Sequence, residues 1–166
     1  MKTIPAILLT LILLVLSAPA EDKHAPSTPE ERARLIDIAG KLRTDPLNPS
    51  LRSDREWATI WLIEIPDVTL KLCSLPWESK YKYSGELMAA KMTSMAAFAF
   101  QHPERTNDDV AVTQAGLEGA LEAYKSVLTS NPKAKSKAME ELVATEAKGV
   151  LTTFVQQEWT RCNSKP

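Results

Sequence analysis

The sequence predicts an all-α protein, a single-domain bundle of about five helices held by one disulfide bond. Three observations support this fold class. Apolar residues recur at the three- and four-residue spacing of a helix in every long segment. Capping residues and prolines stand at the segment boundaries. The chain has only two cysteines, Cys73 and Cys162, and its 166 residues fall in the range of one domain.

Residues 1–20 have the pattern of a signal peptide. A basic residue precedes an apolar run, and Ala18-Pro19-Ala20 has the small-x-small form at which signal peptidase cuts. The apolar run is shorter than the ~20 residues that a membrane-spanning helix needs. We therefore expect cleavage after Ala20, export to the periplasm or the extracellular space, and no stable membrane span afterwards. The alternative is a membrane-tethered structural protein that retains this N-terminal helix.

The remainder divides into three parts. Residues 21–27 are polar without a period, which is typical of a flexible lead-in. Residues 28–161 form the predicted helical domain, and residues 162–166 form a polar C-terminal tail. Removing Lys2 from the 20 basic residues leaves 19 against 21 acidic ones, a net charge of −2. This balance argues against nucleic-acid binding, and the mixed order of the charges argues against a basic membrane-binding arm.

The two cysteines predict one disulfide bond, because paired cysteines of exported proteins are usually oxidised. Cys73 lies near the end of the second predicted element, and Cys162 lies just beyond the last helix. A bond between them would hold the C-terminus against the second element. The alternative is that Cys73 is a small core residue and Cys162 a mobile thiol.

The first helix is predicted to begin after Thr28 and to end near Leu42 or Arg43. Thr28 is a suitable N-cap, Pro29 takes the first helical position, and Glu31 completes a capping box. One side of this helix is apolar, with Leu35, Ile38, Ala39 and Leu42.

The second helix is predicted to begin at Ser53, where Ser53 and Glu56 have the spacing of a capping box. Its apolar residues follow one helical stripe that stays in phase through Pro66. They are Trp57, Trp61, Ile65, Val68, Leu72 and Leu75. The sequence therefore predicts helix on both sides of Pro66, with a kink or tight elbow there.

The third helix is predicted over residues 84–101. Lys91 is its only charge between Leu87 and Phe100, which is typical of a central helix. The fourth helix is predicted from a cap at Asn107 or Asp108 to about Thr129. It contains Gly116 and Gly119, which destabilise a helix unless packing offsets them. Such small residues predict a close approach to the alanine-rich third helix.

Residues 119–132, GALEAYKSVLTSNP, resemble the second helix of a tetratricopeptide repeat. Ala120, Tyr124 and Pro132 stand where that repeat has its small residue, its aromatic residue and its terminal proline. The resemblance covers fourteen residues and has no second copy. It implies a helical hairpin and not a solenoid, since solenoids need about three repeats.

The fifth helix is predicted to start at Asn131-Pro132 and to run to about Trp159, with a bend at Gly149. Its apolar residues again have helical spacing: Met139, Val143, Ala147, Val150 and Phe154.

No motif for a metal, a nucleotide or another cofactor occurs in the sequence, so we predict none. Of the two histidines, His24 lies in the lead-in. His102-Pro103-Glu104 matches the H-x-E half of the zinc-deaminase motif, but the P-C-x-x-C half is missing. We interpret His102 as a cation at a helix C-terminus, and keep it as a binding candidate.

Glu64 and Asp67 are the candidates for catalysis, with Lys71 four residues further on. A carboxylate pair beside aromatic residues is what glycan-cleaving enzymes use. The alternative is a ladder of ion pairs on the solvent side, with Asp67 also capping a helix after Pro66. The burial of Glu64 and Asp67 distinguishes the two hypotheses. Burial raises the pKa of a carboxyl group, and acid catalysis requires a raised pKa.

Trp57, Trp61 and Trp77 are candidates for stacking on a sugar or a peptide, although tryptophans in phase with an apolar stripe are typical of a core. We expect a module that binds another envelope or extracellular protein, or a structural one, without enzymatic activity. The alternative is a cell-wall glycan-acting enzyme that uses Glu64 and Asp67.

Overall fold

The computed structural model of the chain describes residues 25–73 and 80–164. They form six helices: α1 (Pro29–Thr44), α2 (Arg52–Glu64), α3 (Ser84–Gln101), α4 (Asp109–Ser130), α5 (Lys137–Ala147) and α6 (Leu151–Asn163). Short 3-10 turns over Pro49–Leu51 and Pro103–Arg105 precede α2 and α4. Neither described range contains a strand, which confirms the all-α prediction with six helices instead of five. The predicted signal peptide, Leu75 and Trp77 lie outside these ranges.

α3 is the central helix, as its composition predicted. α1, α2 and α4 all pack against it, and α6 packs on α4. Most side chains of α3 are buried, including its alanines and Met95. A mainly apolar helix in this position lets three neighbours share one core.

α1 has the predicted start and the predicted core side. Glu31 N donates to Thr28 Oγ1, and Thr28 N donates to Glu31 Oε2, so the capping box is complete. The four apolar residues predicted for its core side are all buried.

α2 ends before Pro66, so the prediction of helix on both sides of this proline is wrong. Ile65 is extended, with ψ 135°, because the ring of a following proline disfavours the helical region for the residue before it. Residues 66–73 contain no helix. Ile65 and Val68 are nevertheless buried, whereas Leu72 is exposed.

At the N-terminal end of α2 the N-cap is Leu51, which makes no side-chain cap bond, so the capping box predicted at Ser53 is not formed.

α3 and α4 approach closely at the two glycines of α4, as predicted. A Cβ on Gly119 would overlap with the Ser94 side chain and lie 3.2 Å from Ala90 O. A Cβ on Gly116 would lie 3.0 Å from Lys91 O. The helical pairing implied by the repeat-like stretch is therefore present, between α3 and α4.

The predicted fifth helix is two helices. Gly149 has φ 70°, a left-handed conformation that glycine adopts without steric cost, and it separates α5 from α6. Ala147 and Val150 are exposed, so the predicted stripe fails at the break. The residues that reach the core are Met139, Leu142, Leu151 and Val155. α5 begins at Lys137, and α6 extends to Asn163, past the predicted boundary of the tail.

Candidate functional site

Cys73 and Cys162 form a disulfide bond, as predicted. Their Cα atoms are 5.9 Å apart, and 89 positions separate them in the sequence. The bond joins the last turn of α6 to the segment that follows α2. Cys162 is therefore a fixed helical residue and not a mobile thiol.

Lys91 lies beside this bond in an unexpectedly buried position. Its side chain is on the core side of α3, and the residue is 1% exposed. Its Nζ donates a hydrogen bond to the backbone carbonyl of Cys73 at 3.2 Å. Because a buried ammonium requires hydrogen-bond acceptors, Lys91 ties α3 to the disulfide-bonded segment. The residue pattern does not indicate this contact, because a single lysine on an apolar helix is normally assigned to its solvent side.

Asp67 lies in a hydrogen-bonded cluster with residues at the start of α1. Ser27 donates to its carboxylate from the backbone N at 3.2 Å and from Oγ at 2.5 Å. Arg32 Nη2 lies 2.9 Å from Asp67 Oδ2, and Arg32 Nε donates to Ser27 Oγ. Burial raises the pKa of Asp67, but the hydrogen bonds from Ser27 and the charge of Arg32 outweigh it, so this pKa is lowered.

The predicted catalytic pair is not assembled into a buried site. Glu64 is exposed at the end of α2, while Asp67 is bonded to Ser27 and Arg32. Lys71 pairs with Asp109 Oδ2 at 2.7 Å, so the alternative ladder is not formed either. The lowered pKa of Asp67 is opposite to the raised pKa that acid catalysis requires. The catalytic hypothesis stays a prediction without support from this geometry.

The tryptophans of α2 belong to a stack that other residues cover. Trp57 stacks on Trp61 with ring centroids 5.2 Å apart, and Trp61 packs against Phe100. The guanidinium of Arg34 lies 3.9 Å from the Trp57 ring centroid. Trp61 is buried and Trp57 is half-buried. With Arg34 and Trp61 over its ring, Trp57 offers no open platform for stacking; Trp77 lies outside the described residues.

His102 is the C-cap of α3, the position at which a cation is favourable. Its ring centroid lies 4.7 Å from that of Phe98, and its Nδ1 is 3.6 Å from Glu104 Oε1. Within the described ranges no cluster of histidine, cysteine, aspartate or glutamate could hold a metal ion.

Three tyrosines hold the connection between α4 and α5. Tyr124 Oη donates to Glu140 Oε1 at 2.6 Å and accepts from Ser136 N at 3.0 Å. Tyr81 Oη donates to Ala134 O at 2.9 Å, and Tyr83 packs edge-on against the Tyr81 ring. Burial is the main cause that raises the pKa of both Tyr81 and Tyr124 to about 12. The hydroxyls of Tyr81 and Tyr124 are therefore protonated, and their hydrogen bonds stabilise the connection between α4 and α5.

The solvent side of α2 carries an exposed apolar pair. Ile63 is 75% exposed and Ile60 is 56% exposed. Glu56 lies four residues before Ile60 and Glu64 four residues after it, so carboxylates flank the pair on the same side. We call Glu56, Ile60, Ile63 and Glu64 the α2 outer face. The exposure of Ile60 and Ile63 could have been inferred from the sequence, because both isoleucines lie outside the helical stripe that contains Trp61.

Glu56 and Glu64 differ in their partners. Glu56 forms an exposed ion pair with Arg52 at 3.0 Å. Glu64 has no ion pair with any residue that the structure describes. The α2 outer face therefore presents two aliphatic side chains beside a carboxylate that forms no ion pair within residues 25–73 and 80–164.

No helix in the described part of the chain is long and apolar enough to cross a membrane. Comparison with protein-family models, with curated proteins and with solved structures finds no match to this chain.

Proposed function

We propose that the protein is an exported helical module that binds another protein of the envelope or extracellular space, without catalysing a reaction. Two features support export. Residues 1–20 have the pattern of a cleaved signal peptide. The disulfide between Cys73 and Cys162 is of a kind that persists in oxidising compartments and is rare in reducing ones.

The observation that carries the binding proposal is the exposure of Ile60 and Ile63 at the centre of the solvent side of α2. Scattered apolar residues are normal on a protein surface. Here two aliphatic side chains are adjacent on one helix, opposite the side that packs on α3. Covering them would remove apolar surface from water, which is the main driving force of association.

Charge favours a basic partner over a second copy of this chain. In an antiparallel pair of α2 helices centred on Ile60, Glu56 of each copy would face Glu64 of the other, and like charges across an interface are unfavourable. A groove that is apolar at its centre and bordered by lysine or arginine would complement Ile60, Ile63 and the exposed carboxylate of Glu64. This is the helix-in-groove mode of recognition.

Site-specific photo-crosslinking in the producing organism tests this proposal. A photoreactive residue at position 63 should give one dominant adduct with an exported protein. The same residue at position 150 should not, although Val150 is also an exposed aliphatic residue, 45% exposed. The crosslinked protein is then purified and its affinity measured.

The affinity measurement uses two sets of variants. Ile60→Ser combined with Ile63→Ser should weaken binding roughly tenfold or more, whereas Val150→Ser should leave it unchanged. Surface changes of this kind alter the free energy of unfolding by only about 0.5 kcal/mol, so misfolding would not explain a loss. Equal adducts at positions 63 and 150, or unchanged affinity of the double variant, would contradict the proposal.

A further inference from the structure

Two segments that lie far apart in the sequence bring lysines to one surface of the protein. Tyr81 Oη donates a hydrogen bond to Ala134 O at 2.9 Å, although 53 positions separate the two residues. Lysines flank both residues in the chain, and a further lysine begins α5. We call these five residues the lysine patch: Lys80, Lys82, Lys133, Lys135 and Lys137. All five are exposed.

The alternation of residue types explains why these lysines lie on the outside. In residues 80–83 lysine alternates with tyrosine, and in residues 133–138 it alternates with alanine or serine. Tyr81, Tyr83 and Ala134 are half-buried and pack against the core. Asn131 Nδ2 donates to Tyr83 Oη at 2.9 Å, a second link between the two segments. The lysine patch is therefore part of the folded surface and not a flexible arm.

The lysine patch has few carboxylate partners. Four of its lysines form no ion pair with any residue that the structure describes, and Lys137 Nζ lies 3.9 Å from Glu141 Oε1. Elsewhere on the described surface, cations such as Lys71 and Lys125 pair with a carboxylate of another segment at shorter distances. Positive charge is therefore concentrated here in a chain whose net charge is −1.

Carboxylates near the lysine patch reduce its charge but do not balance it. The contacts of the described residues place three of them nearby, Glu86, Glu140 and Glu141, against five lysines. Glu140 accepts a hydrogen bond from Tyr124 Oη at 2.6 Å. α3 and α5 begin beside the patch without a side-chain cap bond, whereas α4 ends there. Two helix N-termini and one C-terminus add a small positive partial charge, so this surface favours an anion.

We propose that the lysine patch binds the anionic headgroups of a lipid membrane, so that the protein lies on a membrane surface without inserting. The patch contains no arginine, the side chain that recognises a single phosphate or carboxylate through two parallel hydrogen bonds. Exposed ammonium groups spread over one surface complement a layer of phosphates, and each strengthens binding to such a layer roughly fivefold.

This proposal does not depend on the protein partner of the α2 outer face. The lysine patch lies at the N-terminal end of α3, which begins at Ser84. Trp61 of α2 packs against Phe100 near the other end of the same 18-residue helix. The two surfaces are therefore separated along α3, and a protein and a membrane could be bound together.

Cosedimentation of the disulfide-bonded protein with lipid vesicles tests the proposal. We expect saturable binding to vesicles of phosphatidylglycerol and phosphatidylcholine in equal parts, weakening as salt rises from about 0.05 to 0.5 M. Pure phosphatidylcholine vesicles detect binding through apolar residues and should bind much less. Equal binding to both vesicles, or none to the anionic ones up to about 10 mM lipid, would overturn the proposal. Binding to soluble heparin without binding to vesicles would show that the patch recognises a polymer instead.

Single charge changes with a matched control locate the binding surface. Lys82→Gln and Lys133→Gln, one from each segment, should each weaken vesicle binding roughly fivefold, whereas Lys133→Arg should retain it. Lys148→Gln removes the same charge from an exposed residue at the other end of α5, and should change binding by less than about twofold. Thermal unfolding of each variant should be nearly unchanged, since these are surface residues. Equal weakening by Lys148→Gln, or unchanged binding by both patch variants, would refute the site.

Discussion

Asp67 and Ser27 join the segment after α2 to the residues before α1, a contact that the sequence did not indicate. Ser27 is buried, and both its backbone N and its hydroxyl donate to the Asp67 carboxylate. Arg32 binds the same carboxylate from the first turn of α1. The cluster therefore holds the entry to α1 against the segment that follows α2. Asp67, a candidate for catalysis in the sequence, therefore forms contacts that stabilise the fold.

We predict that Asp67→Asn lowers the free energy of unfolding by about 1 kcal/mol at pH 7, measured by urea denaturation. The carboxyl pKa is lowered in the folded protein. Its contribution is therefore fully present above the unfolded-state pKa of about 3.9 and is lost as pH falls through the folded-state pKa. The difference between the two proteins should shrink below about pH 4.

A control isolates the role of the cluster. Asp37→Asn removes a carboxylate that pairs with the exposed Lys41, and should change stability by less than about 0.5 kcal/mol at neutral pH. A difference between Asp67→Asn and the unmodified protein that stays constant or grows on acidification would contradict the assignment.

The pairing of α3 with α4 depends on the absence of a side chain at Gly119. We predict that Gly119→Ala destabilises the protein by about 1–3 kcal/mol, because the added methyl group overlaps with the Ser94 side chain. Gly40→Ala is the matched control. Nothing lies within 4 Å of a Cβ at Gly40, so the higher helix propensity of alanine should stabilise α1 by about 0.5–1 kcal/mol. Equal effects of both substitutions in thermal or urea unfolding would refute the close approach.

Elements whose signals are local could be predicted from the sequence. α1 has a capping box and an uninterrupted apolar side, α3 is mainly apolar, and Asp108 caps α4 by accepting from Ala111 N. The caps lie within a few residues of the boundaries that they mark, and the apolar patterns lie within single helices. The same reasoning predicted that the glycines of α4 allow close packing.

The two helix boundaries that depend on backbone geometry, at Pro66 and at Gly149, were predicted wrongly. The apolar periodicity continued through Pro66 because Ile65 and Val68 are buried, although a non-helical segment places them there. The break at Gly149 depends on a positive φ, which the apolar spacing around it does not show. At the candidate sites, contacts between distant segments decided the outcome: Arg34 covers Trp57, and Lys91 reaches Cys73.

At the scale of the whole molecule, the disulfide closes the helical domain. α6 packs mainly on α4 and α5, and the bond from Cys162 to Cys73 adds a link to the segment after α2. Closing a loop of 89 residues restricts the unfolded chain by at most about 4.5 kcal/mol in the entropy model. The same bond is the structural feature that supports the proposal of export, because disulfides persist in oxidising compartments.

Intact-mass spectrometry of the protein recovered from outside the producing cytoplasm tests the proposal that this chain is an exported, disulfide-bonded domain. The sample is treated with an alkylating agent in denaturant, with and without reduction. We predict a chain that begins at Glu21, carries no alkyl group before reduction and carries two after it. A mass that retains residues 1–20, or two alkyl groups without reduction, would contradict it.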